Sequence, residues 1–152
     1  MSDDLIVTAR RLARANPQRP RQADLKRAIS TAYYAIFQSL ARQCADLFIG
    51  VGPHRSDWAW THVYRALDHG FAKNACIQAG KLGFPPEIVN FADSFVLMQE
   101  ERHRADYDPN ARYSRAETQI LISNAEQAIA GFKKAPRRDR LAFAALVLLK
   151  RR

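Results

Sequence analysis

Between residues 21 and 48 the apolar side chains fall at Leu25, Ala28, Ile29, Ala32, Tyr33, Ile36, Phe37, Leu40, Cys44, Leu47 and Phe48. Steps of three, one and four hold a single face of a 3.6-residue period, so this stretch predicts one long amphipathic helix. A helix of that length with a wide apolar face has to pack on several others. The sequence Gly50-Val51-Gly52-Pro53 ends it. Ahead of it, residues 3–15 predict a short helix with Asp3 and Asp4 near its positive end, closed by Asn16 and Pro17. Behind it, Ser56 and Asp57 open a third helix through Trp58, Val63, Leu67 and Phe71, which weakens around Gly70 and ends near Gly80.

Residues 80–86 read as a loop. Pro86 suits a first helical position, and a fourth helix follows through Ile88, Phe91, Ala92, Phe95 and Met98 to about Tyr107. Ser114 and Glu117 have the spacing of a capping box, after which Ala116, Ile120, Ala125, Ala128, Ile129 and Phe132 predict a fifth helix ending at Pro136. A last short helix covers residues 139–150. No strand alternation, internal repeat or low-complexity segment interrupts the series. The expected fold is therefore all-α: one domain over residues 1–152, an antiparallel helical bundle of four to five main helices with short terminal helices.

Composition narrows the class of protein. With 152 residues, 47% of them hydrophobic, the chain has enough material for one core. No run approaches the roughly 18 apolar residues of a membrane-spanning helix, and the opening MSDDLIV is acidic, so the sequence reads as soluble and cytoplasmic. Cys44 and Cys76 lie inside helical patterns with no C-x-x-C spacing and read as small buried hydrophobes. No glycine-rich loop with a following lysine indicates a nucleotide triphosphatase, and no cofactor or metal is expected. His62 and His69, seven apart on the expected third helix, would sit about 10 Å apart along its axis, too far to share one metal.

The formal net charge of +9 favours a polyanionic partner. The charge gathers at the two ends, with Arg10, Arg11, Arg14, Arg19 and Arg21 in one cluster and Lys133, Lys134, Arg137, Arg138, Arg140, Lys150, Arg151 and Arg152 in the other. Such clusters read either as solvated helix faces or as a surface for nucleic acid. The basic and apolar C-terminal helix, residues 137–152, contains a nearly unbroken apolar run at 141–149. That run is too short to span a bilayer and leaves three readings: core packing, a dimer or partner interface, or an interfacial anchor.

The chemistry concentrates in Gln99-Glu100-Glu101-Arg102-His103-Arg104-Ala105-Asp106-Tyr107-Asp108. On a wheel centred on Phe95, Arg102 and Asp106 lie within about 20° of that centre and so continue the apolar stripe, whereas Arg104 points to the opposite side. Arg before Asp is the weaker order for a pair four apart, and a carboxylate in the last turn opposes the helix dipole. Local rules broken together indicate either a site or a structural polar contact. The expected arrangement is one cluster of Arg102, Asp106 and Tyr107 near Tyr33 or Tyr34 of the long helix, because charged groups on a core-facing stripe need polar partners.

The segment Arg27-Ala28-Ile29-Ser30-Thr31-Ala32-Tyr33-Tyr34-Ala35-Ile36-Phe37, followed some seventy residues later by Arg102 through Asp106-Tyr107-Asp108 at a helix end, resembles the HEPN family, in its prokaryotic branch with an Arg-x-x-x-Asp-Tyr motif. The similarity covers about residues 21–132. It implies a helical bundle that dimerises with the polar end of the late helix facing its symmetry mate, and a function directed at RNA. Many members are metal-independent endoribonucleases that act as toxins beside a small nucleotidyltransferase antitoxin. The signature of those members is an Arg followed several residues later by a His. Arg102 matches the Arg, but Asp106-Tyr107 stands where the His-containing part would be, and His103 lies about 100° around the helix.

On this resemblance Arg102, Asp106 and Tyr107 are the catalytic candidates, and Arg102, His103, Arg104, Tyr33 and Tyr34 the candidates for holding nucleic acid or nucleotide. Aspartate is a poor proton donor at neutral pH compared with histidine. Two functions follow: a toxin-type protein acting on RNA, or a noncatalytic module binding a nucleotide or partner through the same residues. A purely structural dimer is the third reading.

Overall fold

The computed structural model describes residues 2–152, with Met1, the first residue of the expected domain, outside the described residues. Seven α-helices and no strand occur among them: α1 (Ser2–Arg14), α2 (Gln22–Ile49), α3 (Asp57–Ala66), α4 (His69–Ala79), α5 (Pro86–Tyr107), α6 (Arg115–Lys134) and α7 (Arg137–Leu148). The chain is an all-α bundle. Among the described residues no helix is long and apolar enough to cross a membrane.

The periodicity of α2 explains its place. It packs against α1, α3, α5, α6 and α7, and Leu25, Ala28, Ile29, Ala32, Tyr33, Ala35, Ile36 and Leu40 are fully buried. Alanine at 28, 32 and 35 lets neighbouring helices approach closely, while Tyr33, Ile36 and Leu40 fill the space between them. Helix α5 runs antiparallel to it: Ser30 meets Asp106, and four residues on Tyr34 meets Arg102. Ile88, Phe91, Ala92, Phe95 and Met98 form its buried stripe. Phe91, Phe132 of α6 and Phe143 of α7 pack together at the opposite end from Arg102.

Polar clips fix the outer helices. Arg10 of α1 makes two hydrogen bonds to the Glu126 carboxylate of α6, at 2.9 and 2.8 Å. Arg115 donates to the carbonyls of Ala13 and Asn16, where the end of α1 leaves acceptors free and Asn16 turns the chain with φ 52°. Arg140 spans the carbonyl of Ala135 and the side chain of Gln43, tying the start of α7 to α2. The capping box at Ser114 and Glu117 is formed.

Four expectations change. The third helix does not continue to Gly80: it stops at Ala66, and Asp68 caps a separate helix by accepting from Phe71 N–H at 2.8 Å. His62 and His69 therefore belong to different helices rather than one face. In α6 the buried stripe is Thr118, Ile122, Ala125, Ile129 and Phe132, with Ala128 beside it, leaving Ala116 and Ile120 exposed. Residues 80–86 begin with a 3-10 turn at Gly80–Leu82, and the last helix starts and ends two residues earlier than expected. Within the 141–149 run Phe143, Ala144 and Val147 are buried core residues, whereas Leu149 is 61% exposed. Cys44 and Cys76 are free and buried.

Candidate functional site

The last turns of α5 continue the core-facing stripe with Arg102, which lies against the flank of α2. Its Nη2 donates to the Tyr34 hydroxyl at 2.8 Å, and its Nε lies 3.0 Å from Asp106 Oδ2. The Nε–Asp106 contact is an ion pair without hydrogen-bond alignment, so this buried N–H has no hydrogen-bond acceptor among the described residues. Ser30 donates to the same Asp106 oxygen at 3.4 Å. The Arg102 and Asp106 side chains are only 20% and 29% exposed, so the pair is shielded from water without being sealed off.

Aromatic rings surround the guanidinium. Its carbon lies 5.7 Å from the Tyr33 ring centre, 5.4 Å from Tyr34 and 5.8 Å from Tyr107. A planar cation among ring faces gains cation–π attraction while retaining N–H groups for an anion. Tyr107 is 64% exposed and its ring packs against His103, at 4.9 Å between centres. Gln99, one turn before Arg102, has a buried Oε1 with no hydrogen-bond donor among the described residues.

The sequence-predicted residues divide accordingly. Arg102, Asp106, Tyr107, Tyr33 and Tyr34 come together, with His103 at the exposed margin beside Tyr107. Arg104 does not join them. It faces the other side of α5, pairs with Glu101 at 3.2 Å and lies over the Tyr113 ring. Tyr113 in turn donates to Glu101 at 2.9 Å, and burial together with that carboxylate pushes its hydroxyl up to about 12.

One member of the cluster was not foreseen. His69, the first residue of α4, is hydrogen-bonded through Nδ1 to the Tyr33 hydroxyl and stacks on Phe37 at 3.9 Å and 12°. Its ring centre is 5.6 Å from Tyr33 and 6.2 Å from Tyr34, the two rings that also flank Arg102. Burial lowers its pKa, the Arg102 charge lowers it further, and Asp68 opposes both. The ring is therefore held neutral at pH 7. Burial also raises the Tyr33 pKa, so that hydroxyl keeps its proton and needs an acceptor. Donating it to His69 Nδ1 supplies one, which leaves the imidazole proton on Nε2. Nε2 makes no hydrogen bond to any described residue, so the ring keeps a free N–H on the side away from Tyr33.

The arrangement thus joins a fixed cation, a neutral imidazole with one free nitrogen, and four phenol or imidazole rings. It suits an anion bearing hydrogen-bond acceptors more than a neutral ligand. Among the described residues no group of three or more His, Cys, Asp or Glu side chains is placed to hold a metal ion. Comparison with protein-family models, with curated proteins and with solved structures yields no match for this chain.

Proposed function

We propose that this chain is a HEPN-like protein that binds RNA through Arg102, with a phosphodiester oxygen pair taking the guanidinium edge and His69 Nε2–H donating to the same group. The observation that carries the reading is the position of Arg102: a partly buried arginine bracketed by Tyr33, Tyr34 and Tyr107, with His69 hydrogen-bonded to the Tyr33 hydroxyl. Phosphate favours a planar bidentate donor, and tyrosine faces beside it suit unpaired bases. The net charge of +9 supports the same class of partner.

Ribonuclease chemistry at this site needs a group that exchanges protons near neutrality. Asp106 is a poor candidate, since it is already paired with Arg102; His69 has the suitable chemistry despite lying on another helix. In this proposal the chain is the toxin-type member of a pair with a small nucleotidyltransferase, and two copies place their Arg102 ends face to face. The noncatalytic reading, a nucleotide- or partner-binding module, is favoured by one feature: Asp106 occupies the Arg102 Nε side, so an anion binds there only by displacing or sharing it.

The test uses fluorescently labelled single-stranded RNA in a buffer without divalent ions. Wild-type protein is expected to bind with an affinity that falls steeply with salt, and Arg102→Ala to lose binding while keeping its helical spectrum. RNA binding equal in both proteins removes Arg102 from the reading. Cleavage by wild type that is absent in His69→Ala selects the ribonuclease over the binding module, and light scattering of the same samples reports the dimer.

A further inference from the structure

Helix α3 has two unlike faces. Trp60, Val63 and Tyr64 turn toward α2, where the Trp60 indole N–H donates to Asp46 at 2.8 Å and the Arg55 guanidinium lies 4.6 Å from the Trp60 ring centre. Trp58, Thr61, His62 and Arg65 share the opposite face and are all exposed. No residue of α3 is buried. Trp58, at 75% exposure, leaves most of a large indole in water, and its ring lies flat against His62, at 5.0 Å and 12°.

An exposed tryptophan stacked on a histidine does nothing for the core, which Trp60 and its neighbours already cover. It forms a flat aromatic platform with one side open. Arg65 stands about two turns further on, roughly 10 Å along the axis. Asp57 is the helix's one carboxylate, and the Arg55 guanidinium holds it at 3.4 Å. The outer face therefore combines stacking surface with positive charge at Arg65, and the exposed Asp68 carboxylate, which accepts from Phe71 N–H, stands at its far end. Past Arg65, the bend at Leu67 and Asp68 leads directly into His69.

We propose that the outer face of α3 is a docking track for single-stranded RNA, in which an unpaired base stacks on Trp58 and the backbone follows His62 and Arg65 toward His69 and Arg102. Stacking requires a free base face, so a duplex is excluded from the platform and an unpaired strand is selected. The choice of RNA as the strand rests on the function proposed above, whereas the platform rests on Trp58 itself. A second copy of the chain is the competing occupant, since an exposed aromatic face also suits a two-fold contact.

The experiment measures binding of a labelled single-stranded oligouridylate to the intact chain. Trp58→Ala is expected to weaken it about tenfold and Trp58→Phe much less, as loss of one stacked base predicts. Arg65→Ala should flatten the salt dependence, and an RNA duplex should bind no better to wild type than to Trp58→Ala. Because the Trp58 side chain is exposed, the variant keeps its fold, which circular dichroism checks. If Arg102→Ala abolishes binding and Trp58→Ala leaves it unchanged, the track is wrong and the Arg102 reading stands. If only Trp58→Ala weakens binding, the track stands and Arg102 is not the RNA centre. If Trp58→Ala halves the mass seen by light scattering with RNA affinity unaltered, the face is a contact between copies and the proposal is overturned.

Discussion

Arg102 and Tyr34 stand 68 residues apart in the chain and meet at 2.8 Å, the guanidinium donating to the phenol oxygen. The contact fixes the register of α5 on α2 and holds the cation edge-on to the bundle surface. Tyr34→Phe removes the acceptor while keeping the ring. One charge-assisted bond at a partly exposed site is lost, so unfolding free energy should fall by about 1 kcal/mol. Arg102, still paired with Asp106, keeps its place, and RNA affinity should fall less than in Arg102→Ala. Denaturant melts and a binding titration on the same protein check both.

His69 makes stability depend on pH. Its folded pKa lies below the ordinary 6.5, with burial as the main cause, so the unfolded chain takes up a proton more readily than the folded one. The stabilisation is fully present above pH 6.5 and is lost as pH falls through the depressed folded value. Glu126, lowered by its hydrogen bond to Arg10, behaves in the same sense but only below its ordinary 4.5. Thermal melts between pH 7.5 and 5 should therefore show a declining midpoint in wild type and a flatter one in His69→Gln. An equal slope in both assigns the decline to other groups.

Helices α2 and α5 were legible because each carries a strict 3.6-residue stripe, and the α5 wheel puts Arg102 and Asp106 on its core-facing side, where such charges need polar partners. His69 was not legible. Apolar residues at Val63, Leu67 and Phe71 continue one helical period straight through the bend, and periodicity alone cannot register a break that preserves phase. The signal lay in Asp68, whose carboxylate is spaced to accept from Phe71 N–H, as a helix start requires. In α6, Ile120 drew the stripe away from Thr118. The threonine is buried without cost to its hydroxyl because it donates to the Ser114 carbonyl at 2.8 Å, and Thr118, Ile122, Ala125, Ile129 and Phe132 then form an unbroken four-three alternation. No wheel drawn on a single helix can report that α4 places an imidazole against Tyr33 of α2, the ring that also flanks Arg102.

Cys44 and Cys76 should be inert in the folded chain. Burial pushes both thiols up to about 12, with Asp93 and Cys44 adding to the effect at Cys76. At pH 8 neither supplies appreciable thiolate, and neither is open to a reagent. A thiol-specific chromogenic reagent should titrate no thiol in native buffer and two in denaturant. Rapid labelling of one thiol without denaturant would show that the helices covering Cys44 or Cys76 open far more readily than this packing allows.

The Arg102 substitutions separate a working site from a structural pair. A fully buried ion pair that loses one member leaves an uncompensated charge at a cost of roughly 3 to 5 kcal/mol. Here Asp106 is 29% exposed at the side chain and also accepts from Ser30, and Tyr34 lies at the partly exposed edge, so water can replace the arginine at both. Arg102→Ala should therefore cost about 1 kcal/mol, a shift in midpoint of only a few degrees, with the helical content intact. Arg102→Lys keeps the charge but not the planar fork that spans Tyr34, Asp106 and an incoming phosphate. Its stability should be near that of wild type, yet its RNA affinity should sit much closer to that of Arg102→Ala. Parallel melting curves and binding titrations on the two variants decide the matter. If lysine restores RNA binding fully, the site offers only positive charge; if alanine unfolds the chain, Arg102 is a structural member of the bundle.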